Sequence, residues 1–264
     1  PPDRRYAAMA ETDQNGRFHF PAQDGKFALV VLGDDGFAML KDAELAASNE
    51  VKLKAWGRVE GRVRVGAHPA SGEAIFMTDN RQTIRDDPRL FFNYNTTTDN
   101  EGRYVIERVP PGEVYVGREI KLSDRSTGYS HYTPVEVEPG QTARVDIGGT
   151  GRPLIGRVIT PGIANENRDF AMSFLRPTPP PSNLLLELAK RLKAPEKPAS
   201  GPRPPSSYAV KVETDGSFRV DDVPAGDYDL DIRVYEPPTG ELHMVGELLG
   251  SITHKVVVPE MPDG

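Results

Sequence analysis

The sequence predicts an all-β chain of tandem antiparallel Greek-key β-sandwiches, with one short helical insertion in the last unit. Three observations carry that prediction. One phrase occurs in full at Thr98-Asp99-Asn100-Glu101-Gly102-Arg103-Tyr104, followed by Val109-Pro110-Pro111-Gly112. It recurs in part at Thr12-Asp13-Gln14-Asn15-Gly16-Arg17-Phe18 and at Thr214-Asp215-Gly216-Ser217-Phe218, the latter with Val223-Pro224-Ala225-Gly226 after it. The residues between these marks alternate in polarity, and 25 Gly with 25 Pro punctuate the 264 residues at turn spacing.

The phrase has a local physical reading. Asp closes an Asx-turn on the backbone two residues on, and Gly supplies the positive φ that a short hairpin loop needs. After the turn, Tyr104 and Ile106 point to one face while Val105 and Glu107 point to the other. Phe18 and Phe20, and Phe218 and Val220, take the matching inward places. Pro then presets the next turn, and Phe27, Tyr115 and Tyr228 open another half-buried strand.

The phrase returns after 86 and then 116 residues, so a unit of about 90 residues repeats, with extra length in the last copy. Gly61-Arg62-Val63 and Gly156-Arg157-Val158 mark the opening strands of two copies. Residues 1–55 are therefore a partial unit, its later half only: a strand from Tyr6 to Thr12, the hairpin, Phe27 to Leu32, and an alternating strand from Val51 to Lys54 that runs into Trp56. Residues 56–150 are a complete unit. Its strands are expected at Val59–Val65, Ala74–Thr78, Leu90–Thr97, after the hairpin at Val114–Lys121, and at Thr133–Val137 and Thr142–Ile147.

Residues 151–264 form the last unit, with strands at Leu154–Thr160, Asp169–Leu175 and Tyr208–Glu213, and a Pro-rich, partly helical insertion at 177–205. Within the insertion, Ser182 to Lys193 reads as the one convincing helix, capped by Ser182 or Asn183 and basic in its last turn. Leu184, Leu185, Leu188 and Leu192 share a face that suits either the flank of its own sandwich or a partner protein. This unit has no counterpart of Thr142–Ile147. The start at Pro1 and the missing strands read as a piece of a longer polypeptide with further domains attached.

Composition narrows function. A net charge of −7 argues against a phosphate-tracking surface, so nucleic acid and anionic membrane are not expected partners. No run approaches the roughly 18 apolar residues of a membrane span. With no Cys, disulfides, thiolate catalysis and Cys-ligated zinc are excluded. The five His are scattered, and the pairs Asp34-Asp35, Asp86-Asp87 and Asp221-Asp222 sit beside turns where Asp caps amides. Asp99, Asn100 and Glu101 offer too few oxygens for the six to eight ligands of calcium. Gly148-Gly149-Thr150-Gly151 precedes no amphipathic helix and reads as a domain joint rather than a phosphate loop. The expectation is a chain without catalytic residues, metal or cofactor.

Gly-Arg-Val, Thr-Asp-x-x-Gly-Arg-Tyr, Val-Pro-x-Gly and the later Gly128-Tyr129 together resemble the carboxypeptidase regulatory-like repeat, a transthyretin-like β-sandwich. The resemblance covers most of the chain outside 177–205. It implies seven or eight antiparallel strands per unit, units strung in series in bacterial envelope or secreted proteins, and an extracytoplasmic location. It carries over no catalytic residue. In metallocarboxypeptidases the module follows the zinc domain and supplies no ligand.

The remaining candidates are aromatic. Tyr129, His131 and Tyr132 cluster in a Gly-containing loop and suit a stacking platform for a sugar ring, or else core packing, the role of the Gly-Tyr pair in the family. Trp56, the only Trp, falls where the first unit meets the second and reads as a wedge between them. The expected function is a non-catalytic spacer or protein-interaction scaffold, with a carbohydrate-binding accessory module as the alternative and a protein or a glycan as the partner.

Overall fold

The computed structural model describes residues 8–21, 26–47, 50–79, 92–123, 126–160, 168–179, 205–239 and 245–260. The described structure is almost entirely β, in several sheets whose pairings are mostly antiparallel. In the first unit, β1 (Ala28–Leu32), β2 (Gly36–Lys41) and β3 (Lys54–Ala55) form a small sheet, with helix α1 (Asp42–Ala47) between the last two. The second unit holds β4 (Gly57–Val65), β5 (His68–Pro69), β6 (Ala74–Asp79), β7 (Phe92–Thr97), β8 (Arg103–Val109), β9 (Gly112–Lys121), β10 (Thr127–Val137), β11 (Thr142–Arg144) and β12 (Ile147–Gly148). The third holds β13 (Arg152–Arg157), β14 (Phe174–Pro177), β15 (Tyr208–Ala209), β16 (Ser217–Val223), β17 (Gly226–Tyr235) and β18 (Leu248–Val258).

The second unit is a two-layer sandwich. One sheet runs β10-β9-β6-β7; in the other, β4 lies between β8 and the pair β11 and β12. Ile75, Met77, Val114, Val116 and Val135 from the first layer meet Val59, Val63, Tyr104, Ile106 and Ile147 from the second. The third unit repeats the layout with β15-β14-β17-β18 against β13-β16, around Leu175, Tyr208, Phe218, Val220, Leu230 and Ile232. Among the described residues nothing plays the part of β11 and β12 beside β13.

The hairpin turns form as read in all three copies. Asp99 Oδ1 accepts from the N–H of Glu101 at 2.9 Å and of Arg103 at 2.8 Å. Asp13 does the same for Asn15 and Arg17, and Asp215 for Ser217. Thr98 adds a tie: its hydroxyl donates to Ala70 O at 2.6 Å and accepts from Glu73 N–H at 2.9 Å. The Gly of Gly-Arg-Val also finds its reason. Gly61 pairs across the ladder with Tyr104, and Gly156 with Phe218, and in each case a Cβ on the glycine would meet the aromatic ring. Tyr104 approaches its glycine with Cε1 3.0 Å from where a Cβ would stand, and donates its hydroxyl to Val145 O at 2.6 Å.

Several elements differ from the sequence reading. The first copy makes its turn but no strands beside it: Arg17–Phe20 is irregular, and Phe18 and Phe20 pack on each other in the open. Among the described residues no opening strand like β4 pairs with this hairpin, and a lone hairpin cannot bury one face. The strand at Val51–Lys54 shrinks to Lys54–Ala55; of the expected Leu90–Thr97, the described residues Phe92–Thr97 are strand, and Leu90 and Phe91 lie outside the described residues. Leu154–Thr160 becomes Arg152–Arg157, Asp169–Leu175 becomes Phe174–Pro177 with a lone bridge from Asp169 to Tyr235, and Tyr208–Glu213 keeps only two strand residues and a bridge at Val212. Thr142–Ile147 is two short strands, both parallel to β4 rather than antiparallel. Helix α1 was not expected. Its residues Asp-Ala-Glu-Leu-Ala-Ala favour helix, and the Glu44 carboxylate reaches back to accept from Lys41 N–H at 2.8 Å. The helix expected at Ser182–Lys193, with Leu184, Leu185, Leu188 and Leu192, lies outside the described residues.

Gly61→Ala is expected to lower unfolding free energy by roughly 2–3 kcal/mol, because the new methyl meets both the Val145 carbonyl and the Tyr104 ring. Gly250→Ala, with nothing within 4 Å, stays within about 0.5 kcal/mol. Urea unfolding followed by circular dichroism reads both.

Candidate functional site

Tyr129, His131 and Tyr132 stand in strand β10, not in a loop, at a bulge where the register with β9 slips between Ser130 and Thr133. The bulge places His131 at φ 55°, a left-handed conformation uncommon for a side chain with a Cβ. It also sends the three residues to different places. Tyr129 and Tyr132 come out on the solvent side of the sheet, whereas His131 turns into the seam with the third unit.

On the solvent side four rings gather. Tyr129 stacks on Phe76 with centroids 4.3 Å apart, Tyr132 stacks on Tyr115 at 5.0 Å, and the two tyrosines of β10 lie 6.1 Å from each other. Gly117, paired with Phe76 across β6 and β9, makes this possible: a Cβ there would come within 3.2 Å of the Tyr132 ring. Burial, with Tyr115 and Tyr129 adding to it, pushes the Tyr132 phenol up to about 12. Asn95, opposite Phe76, and Asn93, whose Oδ1 accepts from Thr78 Oγ1 at 3.0 Å, extend the same face with polar groups. The rings thus cover one another's faces and present mainly edges and hydroxyls to water.

In the seam, His131 is 4% exposed and meets the Tyr208 ring of the third unit edge-on at 4.9 Å. Ser130 Oγ lies 3.0 Å from its Nδ1. The two neighbours form a hydroxyl–imidazole pair, and both are buried. Burial is the main cause that pulls the imidazole down to about 4; Asp222 and Asp221 oppose that shift and Arg118 adds to it. Around this contact the backbones interlock. Tyr132 N–H donates to Ser207 O at 3.1 Å, and Tyr132 O accepts from Ser206 N–H at 2.8 Å. Both carboxylate oxygens of Asp222 accept from Gly66 N–H at 3.1 Å.

The joint between the first and second units uses the same positions. Phe92 stands six residues ahead of Thr98, as Tyr208 does ahead of Thr214. Phe92 meets Phe37 of the first unit edge-on at 5.5 Å. Arg108 stands four residues after Tyr104, as Asp222 does after Phe218, and both adopt left-handed φ, 55° and 54°. Arg108 pairs with Asp34 of the first unit at 3.1 Å. Trp56 completes this joint as the expected wedge, packed on Phe37 with its indole N–H donating to Gly33 O at 2.8 Å. A shallow cleft of about 470 Å³ opens there, lined by Leu32, Asp34, Trp56, Asn93, Tyr94 and Arg108.

The aromatic six places before each Thr-Asp was visible in the sequence, but as one more strand residue; its role depends on a neighbour in another unit. Among the described residues no group of three or more His, Asp or Glu converges as metal ligands, and no helix is long and apolar enough to cross a membrane. The Asp99 carboxylate is engaged by Arg103 Nε at 2.8 Å and by two backbone N–H groups.

No family model and no curated protein matches the chain. Among solved structures, a Pseudomonas aeruginosa protein provisionally described as carbohydrate binding is 17% identical, covering 40% of this chain and 94% of its own, with a TM-score of 0.26. The minor pilin of Streptococcus agalactiae is 12% identical over 77% of this chain and 91% of its own, with a TM-score of 0.26. A DUF3823 family protein from Bacteroides uniformis is 12% identical over 77% and 100%, with a TM-score of 0.25. At these scores the likenesses say nothing of function.

His131 makes the seam pH-sensitive. Its folded-state value lies below the unfolded 6.5, so stability is complete above pH 6.5 and falls as pH drops from 6.5 towards 4. The expected loss approaches roughly 3 kcal/mol at the acid end. His131→Phe should flatten the urea midpoint between pH 6.5 and 5, where carboxylates contribute least.

Proposed function

We propose that this chain is a non-catalytic array of carboxypeptidase regulatory-like β-sandwiches. It acts as a spacer and interaction scaffold in a larger bacterial envelope or secreted protein. One observation carries the reading: the same joint is built twice, from an aromatic at the same offset and a left-handed residue at the same bulge. Flexible tethers between independent domains need no such contacts, whereas a fixed separation does. The buried, interlocked seam of His131, Tyr208 and Asp222 suits a part whose work is to hold position.

The absence of native Cys makes distance measurement direct. Nitroxides at Thr142→Cys and Val257→Cys, both exposed, are expected to give one narrow distance distribution by pulsed electron resonance. Tyr208→Ala should broaden it. A broad distribution in the parent chain sinks the reading.

A carbohydrate-binding role is the second reading, favoured by the position of Phe76, Tyr115, Tyr129 and Tyr132 on the solvent side of a sheet beside Asn93 and Asn95. Affinity electrophoresis through polysaccharide gels tests it. Retardation that is lost in Tyr129→Ala and Tyr132→Ala supports binding on this face, and no retardation of the parent chain across a panel of gels eliminates it.

A further inference from the structure

We propose that the free edge of β18 at Gly250–Thr253 is a docking surface for a further sandwich unit of this repeat, tethered in the same polypeptide. This rests on the array reading and adds a site to it. The two late hairpins correspond when counted along β9 and β17, although β10 carries one extra residue at its bulge between Ser130 and Thr133 where β18 runs without one. Gly112 pairs with Val137 and Gly226 with Val258 at one end; eight residues on, Ile120 pairs with Gly128 and Val234 with Gly250. Gly250 therefore stands where Gly128 stands, and Ile252, opposite Ile232, stands where Ser130 stands opposite Arg118.

Beyond the bulge, the surroundings of these matched positions differ in what covers them. A Cβ on Gly128 would lie 2.7 Å from that of Ala209 in the next unit, while one on Gly250 would meet nothing within 4 Å. Ser130 is 5% exposed under the third unit, yet Ile252 is 62% exposed although it shares a sheet face with buried Ile232. Leu248, close by on the same strand, is 51% exposed. An apolar patch at the end of a sandwich, on an edge that takes no second strand among the described residues, is the form of an unfilled joint. On β10 the same edge gives the N–H and C=O of Tyr132 to Ser207 and Ser206. Among the described residues β18 pairs with β17 alone.

The occupant follows from the two joints already present. Each is filled by the following unit of the same chain, which brings an aromatic six residues before its Thr-Asp turn, Phe92 in one case and Tyr208 in the other. A unit of that kind buries Ile252 and pairs the open edge.

The test joins a second copy of Glu138–Gly264 after Val258, reproducing the linker of the existing joint, and follows amide hydrogen exchange in the full extended chain. Amides of residues 250–253 are expected to exchange at least tenfold more slowly than in the parent chain. Ile252→Lys, or Tyr208→Ala in the added copy alone, should restore the parent rate with the other units' exchange unchanged. Exchange at 250–253 equal to the parent's overturns the proposal. So does slowing in the parent chain on raising its concentration, which would make a second copy the occupant. A narrow nitroxide distance between the second and third units, together with an unprotected β18, removes this inference and leaves the array intact.

Discussion

A glycine on one strand beneath an aromatic ring on the next is the contact on which each sandwich depends. Gly61 under Tyr104, and Gly156 under Phe218, bring the opening strand and the signature hairpin close enough for the ring to lie over bare backbone. In the second unit the Tyr104 hydroxyl reaches past its glycine to Val145 O, so one side chain ties β8 through β4 to the segment joining β11 and β12. Phe218 has no hydroxyl, and beside β13 no such segment is described. The two units thus share the packing constraint and differ in what is fastened by it.

Local features were readable in the sequence and non-local ones were not. Asp99, Asp13 and Asp215 bond to residues two to four places away, so their turns follow from a few neighbouring letters. Tyr104, Ile106, Phe218 and Val220 are buried as their alternation implies. The strands around Phe18 do not form because, among the described residues, no opening strand pairs with this hairpin. Tyr129, His131 and Tyr132 were expected together in a loop; a bulge in β10 separates them, and no alternation pattern announces a residue with left-handed φ that is neither Gly nor Asn. The parallel direction of β11 and β12 is also a property of chain path, invisible to periodicity.

The four-ring cluster shows how an absent side chain shapes a surface. A side chain at position 117 of β9 would press on the Tyr132 ring, one of the two tyrosines that stack side by side on this face. Mutual stacking saves each ring from full exposure on the solvent side of the sheet. The same geometry limits what a sugar can find there, since flat stacking needs an open face and these faces are largely taken. His131, the third member of the group, turns away from these rings into the buried seam with the third unit.

The two left-handed residues have one further implication. Arg108 and Asp222 occupy the same backbone kink, yet one carries a cation to Asp34 and the other a carboxylate to the Gly66 amide. Exchanging the units would set Asp222 against Asp34, like charge against like, and Arg108 against an N–H that offers it nothing to bond. The two joints thus share a backbone geometry while each uses its own polar pairing, so the kink is common to both and the partner is not.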